Sequence, residues 1–174
     1  MDSVYKYDVT SKSYDQLYRD EQFEKYRYIL INKKLLPRGV VADIGCGTGL
    51  LIEFIKNNMI DYYDKYFCIE PSTGMLNILY SKNIIDHRII VIQGYGEHLP
   101  LRDKIIDTIY LFTVWDNVKD KEKLLREIDR VLKPKGYAVI SVVSKAKNPK
   151  PPDLDPKYVF LGCNIDCFYL YVKS

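Results

Sequence analysis

Val40-Val41-Ala42-Asp43-Ile44-Gly45-Cys46-Gly47-Thr48-Gly49-Leu50-Leu51 decides the fold. A short apolar run ends in Asp43, glycines follow at every second position, and Leu51, Phe54 and Ile55 then take up helical spacing. The stretch reads as strand, tight turn and helix. Glycine lets such a turn bend sharply and approach a ligand closely, while the first N–H groups of the helix face polar ligand atoms. Spacing excludes two ligand classes. A dinucleotide fingerprint starting at Gly45 needs glycine or alanine where Leu50 stands, and no Lys-Ser/Thr pair follows as a phosphate-cradling loop requires.

Working outward, Tyr66-Phe67-Cys68-Ile69-Glu70 is an apolar run closed by an acid about 20 residues beyond the glycines, where nucleotide-binding sheets hold ribose hydroxyls. Pro71, Ser72 as N-cap, and Met75 and Leu79 four apart predict the next helix. His87 to Gln93 reads as a third strand, leading into Gly94-Tyr95-Gly96-Glu97-His98-Leu99-Pro100, and Asp107 to Thr113, with Phe112 near its end, as a fourth. The loop Val114-Trp115-Asp116-Asn117-Val118 falls at the carboxyl end of a central strand, where open α/β sheets bind substrates. Trp115 beside Asp116 and Asn117 gives either an aromatic wall with two hydrogen-bonding groups or a core residue beside a capped turn; both readings stay open.

Asp120 to Leu132 carries Leu124, Leu125, Ile128, Val131 and Leu132 on one helical face and stops at Lys133-Pro134-Lys135-Gly136. Tyr137 to Val143 is a fifth strand. Prolines 149, 151, 152 and 156 exclude a helix over 145–156, and Lys145, Lys147 and Lys150 read as a solvated linker. Residues 158–161 and 168–172 form a terminal antiparallel pair. Upstream, residues 1–12 read as an irregular arm and Ser13 to Leu36 as helical.

The motifs Asp-x-Gly-x-Gly-x-Gly at 43–49, Glu70-Pro71-Ser72-x-x-Met75-Leu76, the 94–100 loop and Leu125-Arg126-Glu127-Ile128-x-Arg130-Val131-Leu132-Lys133-Pro134-x-Gly136 resemble the class I S-adenosylmethionine-dependent methyltransferases, in particular the small-molecule branch that includes quinone-biosynthesis enzymes. The resemblance covers roughly residues 13–143. It implies an α/β fold: a Rossmann-like, doubly wound, seven-stranded and mostly parallel sheet with an antiparallel C-terminal strand, one helix short between strands five and six. A single domain over 1–174 is expected, with N-terminal arm and helices at 1–36, a cofactor-binding core at 37–143 and a proline-rich connection with the strand pair at 144–174.

By the same resemblance, S-adenosylmethionine is the cofactor and S-adenosylhomocysteine the product. Asp43, Gly45, Cys46, Gly47, Thr48 and Gly49 would wrap its methionine and ribose portions, with Glu70, Pro71 and Met75 beyond them. Gly94, Tyr95, Gly96 and Glu97 would border the adenine, Phe112 and Thr113 would complete the site, and Tyr14 would close over the methionine end. Trp115, Asp116 and Asn117 are the substrate candidates, and Asp116 and Tyr14 the candidate bases. Tyr95 departs from the family, which places an acid there to accept from the adenine amino group; a phenol cannot copy a carboxylate.

The chain has 174 residues, 47% hydrophobic and 28% charged, with a formal net charge of +3. That balance neither demands nor excludes a nucleic-acid partner. No apolar stretch approaches the roughly 20 residues of a membrane span, and no charged leader precedes an apolar core, so a cytoplasmic protein is expected. Only His87 and His98 supply imidazoles, zinc-type spacing is absent and no metal is expected. Cys46 and Cys68 read as small buried residues, and Cys163 and Cys167 as reduced thiols, bonded only if the chain doubles back between them. A domain without an inserted cap leaves its active face open. A small-molecule acceptor is favoured; RNA, protein, or a non-catalytic role as a partner subunit or dimer are the alternatives.

Overall fold

The computed structural model describes residues 3–143 and 157–174. Seven strands, β1 (Gly39–Ile44), β2 (Tyr63–Glu70), β3 (Ile89–Gln93), β4 (Ile106–Leu111), β5 (Leu132–Val143), β6 (Val159–Cys163) and β7 (Asp166–Val172), build one sheet. Their order is β3-β2-β1-β4-β5-β7-β6. The first five run parallel, and β7 lies antiparallel between β5 and β6. Order reverses between β1 and β4, so the connections leaving their carboxyl ends pass to opposite faces of the sheet and leave a crevice.

Both faces of the sheet are covered, which is why its strands read as continuous apolar runs. On one face Val41, Tyr66 and Tyr110 pack against α2 (Leu50–Asn57) through Leu51, Phe54 and Ile55, and against Leu76 and Leu79 of α3 (Thr73–Ser81). On the other face Ala42, Ile44, Ile109 and Ile140 pack against Leu124, Ile128 and Val131 of α4 (Lys121–Val131). Each fully buried Val, Leu, Ile or Phe side chain among them contributes about 1.5–3 kcal/mol. Ser72 and Asp120 cap α3 and α4, their side chains accepting from Met75 N and Lys123 N.

Three expectations change. The N-terminal arm is helical: α1 spans Ser3–Tyr26 and continues as a π-helical segment, Arg27–Asn32, that buries Ile29 and Leu30. No apolar stripe announces its first turns, because tertiary hydrogen bonds hold them; Asp8 accepts from Ser72 Oγ at 2.6 Å and Gly74 N at 2.9 Å. The fifth strand begins at Leu132, the Lys-Pro-Lys-Gly stop forming an irregular bulge in which the pairs Ile106–Leu132 and Thr108–Tyr137 are successive. Lys135 takes a left-handed φ of 65° there. Finally, all four cysteines are bonded. Gly45 N and Cys46 N both donate to Ile69 O, folding the glycine turn over the end of β2 so that Cys46 meets Cys68. Cys163 stands directly opposite Cys167 across the β6–β7 hairpin and bonds to it. The bonded pairs overturn the expectation of reduced thiols, which had followed from an expected reducing compartment. No helix among the described residues is long and apolar enough to cross a membrane. The expected missing helix and the lysine cluster at 145–150 lie outside the described residues.

Candidate functional site

At the carboxyl ends of β1 to β4 the crevice opens into a cleft of about 860 Å³, its solvent-facing mouth included. The three glycines of the first turn serve it differently, although all are left-handed, with φ of 75°, 54° and 80° at Gly45, Gly47 and Gly49. A Cβ on Gly45 would stand 2.2 Å from a Val114 methyl and one on Gly49 2.4 Å from a Leu79 methyl, whereas one on Gly47 would meet nothing within 4 Å. Protein packing therefore requires the outer two, and the middle one borders the cleft.

Glu70 closes the opposite lip. Its carboxylate is 6% exposed and bridges two turns, accepting from Gly47 N at 3.0 Å and Ser72 N at 2.9 Å. Burial raises its pKa and the two N–H groups pull it back. A carboxylate has about four acceptor positions, so two remain on a group that lines the cleft. Pro71 and Met75 continue this wall; Gly94, Tyr95, Gly96 and Glu97 form the next. Tyr95 is 53% exposed, and Glu97 Oε1 accepts from Lys119 N at 3.2 Å.

Asp43 lies beneath the turn rather than in the cleft. It is buried, and burial pushes its pKa up to about 7 despite a 2.8 Å hydrogen bond from Tyr66 Oη, with the Glu70 charge adding to the rise. A carboxyl whose folded pKa exceeds its unfolded one contributes stability that is present in full below the unfolded value and lost as pH rises through the folded value. Asp43→Asn is expected to remove this dependence. In urea unfolding, wild type relative to the variant should lose about 2–3 kcal/mol between about pH 5 and pH 8. Parallel stability profiles for the two proteins would show that Asp43 holds no proton in the folded state.

α1 roofs the cleft, in place of the open face expected. Beyond the Asp8 contacts, Thr48 Oγ1 donates to Asp15 at 2.5 Å and Asn117 Nδ2 to Tyr7 Oη at 3.1 Å, so the helix reaches from the glycine turn to the loop after β4. Tyr14 lines the cleft with its ring centroid 6.2 Å from that of Tyr7. Its phenol is raised above the ordinary value by burial and by neighbouring Tyr7 and Glu70. It is a proton donor, not a base, at neutral pH.

Beyond β4, Phe112, Thr113 and Asn117 face the cleft. Trp115 and Asp116, which stand between Val114 and Asn117, do not. Trp115 is 2% exposed, packed in the core beside Leu124 and Ile128 with Lys121 Nζ 5.7 Å from its ring centre. Asp116 turns outward and accepts from Val143 N at 3.1 Å. The structure thus corrects both, removing Trp115 as a substrate wall and Asp116 as substrate contact and base: a short helical turn, Trp115–Asn117, points successive side chains in different directions. Cys46, Thr48 and Gly49 likewise do not line the cleft, being bonded to Cys68, to Asp15 and, as the N-cap of α2, to the helix itself. Six lining residues escaped the sequence reading: Val4, Tyr7, Ile44, Val114, Val118 and Lys119. Tyr7, Tyr14 and Tyr18 at helical spacing were the available signal for the first two.

Residues 42–140, more than half of the chain, match the model of a methyltransferase domain. An uncharacterised protein of Methanocaldococcus jannaschii is 31% identical over 79% of this chain and 50% of its own length. The ubiquinone/menaquinone biosynthesis C-methyltransferase of Campylobacter jejuni is 27% identical over 79% of this chain and 57% of its own. The chain thus spans about half the length of these curated relatives. Among solved structures, a protein of Methanococcus maripaludis assigned as an S-adenosyl-L-methionine-dependent methyltransferase superposes with a TM-score of 0.76, covering 96% of this chain and 93% of its own at 18% identity, a likeness of fold.

Proposed function

The chain belongs to the class I S-adenosylmethionine-dependent methyltransferase family, and on that premise we propose that it transfers the methyl group of S-adenosylmethionine to an oxygen, nitrogen or carbon nucleophile of a small molecule. One observation carries the reading: the buried Glu70 carboxylate, fixed by Gly47 N and Ser72 N, faces a cleft whose floor at Gly47 has open space where any other residue would place a Cβ. Both features fit the cofactor. A carboxylate with unused acceptor positions suits two ribose hydroxyls, and the glycine floor suits a ligand lying against the backbone.

When bound, S-adenosylmethionine supplies a sulfonium methyl already activated for transfer. The work left to the protein is positioning. Holding an acceptor in line at about 3–3.5 Å from the methyl carbon supplies much of the rate without covalent participation. Glu70, Gly45 and Gly47 would hold the nucleoside and methionine portions, with Met75, Tyr95 and Gly96 against the base and Tyr14 and Phe112 excluding water. Thr113 and Asn117 are the polar groups on the acceptor side. Asp116 takes no part, and Tyr14, its phenol neutral, orients rather than deprotonates; an acceptor that ionises by itself suits this site. The roof formed by α1 favours a small molecule over RNA or protein, since a macromolecule would have to reach past Val4 and Tyr7.

Calorimetric titration tests this: micromolar binding of S-adenosylmethionine and S-adenosylhomocysteine is expected, with no heat from NAD or ATP. Equal binding of all four would reduce the site to a general nucleoside pocket. Glu70→Ala is expected to weaken both cofactor forms by about 1–3 kcal/mol, the value of hydrogen bonds to a charged acceptor. An unchanged affinity takes Glu70 out of the ribose contact.

A further inference from the structure

Thr113 is the only residue at the cleft that is not glycine yet has a left-handed backbone among the described residues, with φ of 60°. A threonine does not adopt that conformation unaided, since its Cβ crowds the following carbonyl and its branching adds to the cost. Something must hold it. Behind it lies a buried polar cluster with contributions from three elements. Lys25 of α1 and Asp166 of β7, each 1% exposed, pair at 3.2 Å. Lys25 Nζ also donates to Thr113 Oγ1 at 3.1 Å, and Thr113 Oγ1 lies 3.2 Å from Asp166 Oδ2. Ser141 of β5 links backbone and ion pair, accepting from Thr113 N at 2.7 Å and donating to Asp166 Oδ2 at 2.8 Å. The Thr113 N–H and hydroxyl are therefore both fixed from below.

We propose that the Lys25–Asp166 pair, with Ser141, is a positioning device that locks Thr113 in its left-handed conformation and thereby sets the acceptor-side wall of the cleft. Val114, whose methyl group packs onto Gly45, and Asn117, which meets Tyr7, follow directly from that locked residue. Because Lys25 sits on the helix that roofs the cleft, the same pair joins roof and wall. Buried ion pairs are often replaceable by apolar residues without loss of stability, so holding a strained residue at a site gives this one a purpose that folding alone does not require. The inference extends the cofactor reading above and is tested separately from it.

The test uses two properties of the full chain: its affinity for S-adenosylhomocysteine and the emission of Trp115, the sole tryptophan, two positions from Thr113. Ser141→Ala, which cuts the link while leaving the charges paired, and Asp166→Asn are both made, each also combined with Thr113→Gly. Glycine enters the left-handed region freely, so it replaces the lock. Expected results are a folded Ser141→Ala variant with altered Trp115 emission and affinity reduced about tenfold, in line with about 1–2 kcal/mol for a left-handed L-residue. In the Thr113→Gly background the same change should cost threefold or less. A merely structural network would lower the melting temperature without that rescue. Wild-type affinity and emission in Ser141→Ala, or an equal loss in both backgrounds, overturns the proposal. Should Asp166→Asn not fold, Ser141→Ala decides alone. If the wild-type chain binds no S-adenosylhomocysteine, the cofactor reading fails, and unchanged Trp115 emission in Ser141→Ala would still overturn the lock.

Discussion

Gly47→Val is expected to abolish cofactor binding, weakening it more than a hundredfold, while the protein still folds. A Cβ at Gly47 meets no protein atom within 4 Å, so the added side chain clashes with nothing in the fold. The space it enters is the floor of the cleft. Its φ of 54° adds a folding cost of roughly 1–2 kcal/mol, more for a branched residue, which a domain of this size tolerates when its stability is about 5–15 kcal/mol. Far-ultraviolet circular dichroism should therefore match wild type while titration with S-adenosylhomocysteine yields no heat. Retained micromolar binding would place the ligand away from the glycine turn and undo the assignment of both Gly47 and its partner Glu70. Gly45 and Gly49 make the contrast: a Cβ there would collide with Val114 and Leu79, so the same substitution should damage folding itself.

Trp115→Ala is expected to cost about 3–5 kcal/mol of stability, the range for truncating a large buried aromatic side chain. Trp115 is 2% exposed among Ala138, Ile140, Leu124 and Ile128 between sheet and α4, and its removal leaves a cavity those neighbours cannot fill. For a chain of this length the melting temperature should fall by roughly 10 °C. Thermal unfolding and urea titration measure both. The opposite pattern, a small stability loss with a large change in acceptor affinity, is what a substrate wall would give; it would return Trp115 to the cleft.

The sheet was legible because each of its signals is local. Alternating glycines after Val40 to Asp43, an apolar run closed by Glu70, and the face of Leu124, Ile128 and Val131 each report one strand, turn or helix. Alternation of those elements pointed to a parallel α/β sheet, whereas the strand order came from the structure. Glu70 was legible for the same reason, since its distance along the chain from the glycine turn fixes its place at the neighbouring strand end.

What the sequence by itself determined is the doubly wound sheet, the family, and the lip of the cleft made by Gly45, Gly47 and Glu70. Only the tertiary structure decided the rest. The first turns of α1 have no apolar stripe to reveal that they dock as a roof, because Asp8, Asp15 and Tyr7 hold them by hydrogen bonds to residues distant in sequence. The directions of Trp115 and Asp116 depend on a single helical turn, and adjacent side chains there differ by about 100° in aim, beyond what composition can report. Both cysteine pairings required knowing which strands lie side by side. The Lys25–Asp166 pair joins the first helix to the last strand; two charges far apart in the chain meet inside the core only because α1 docks beside β7.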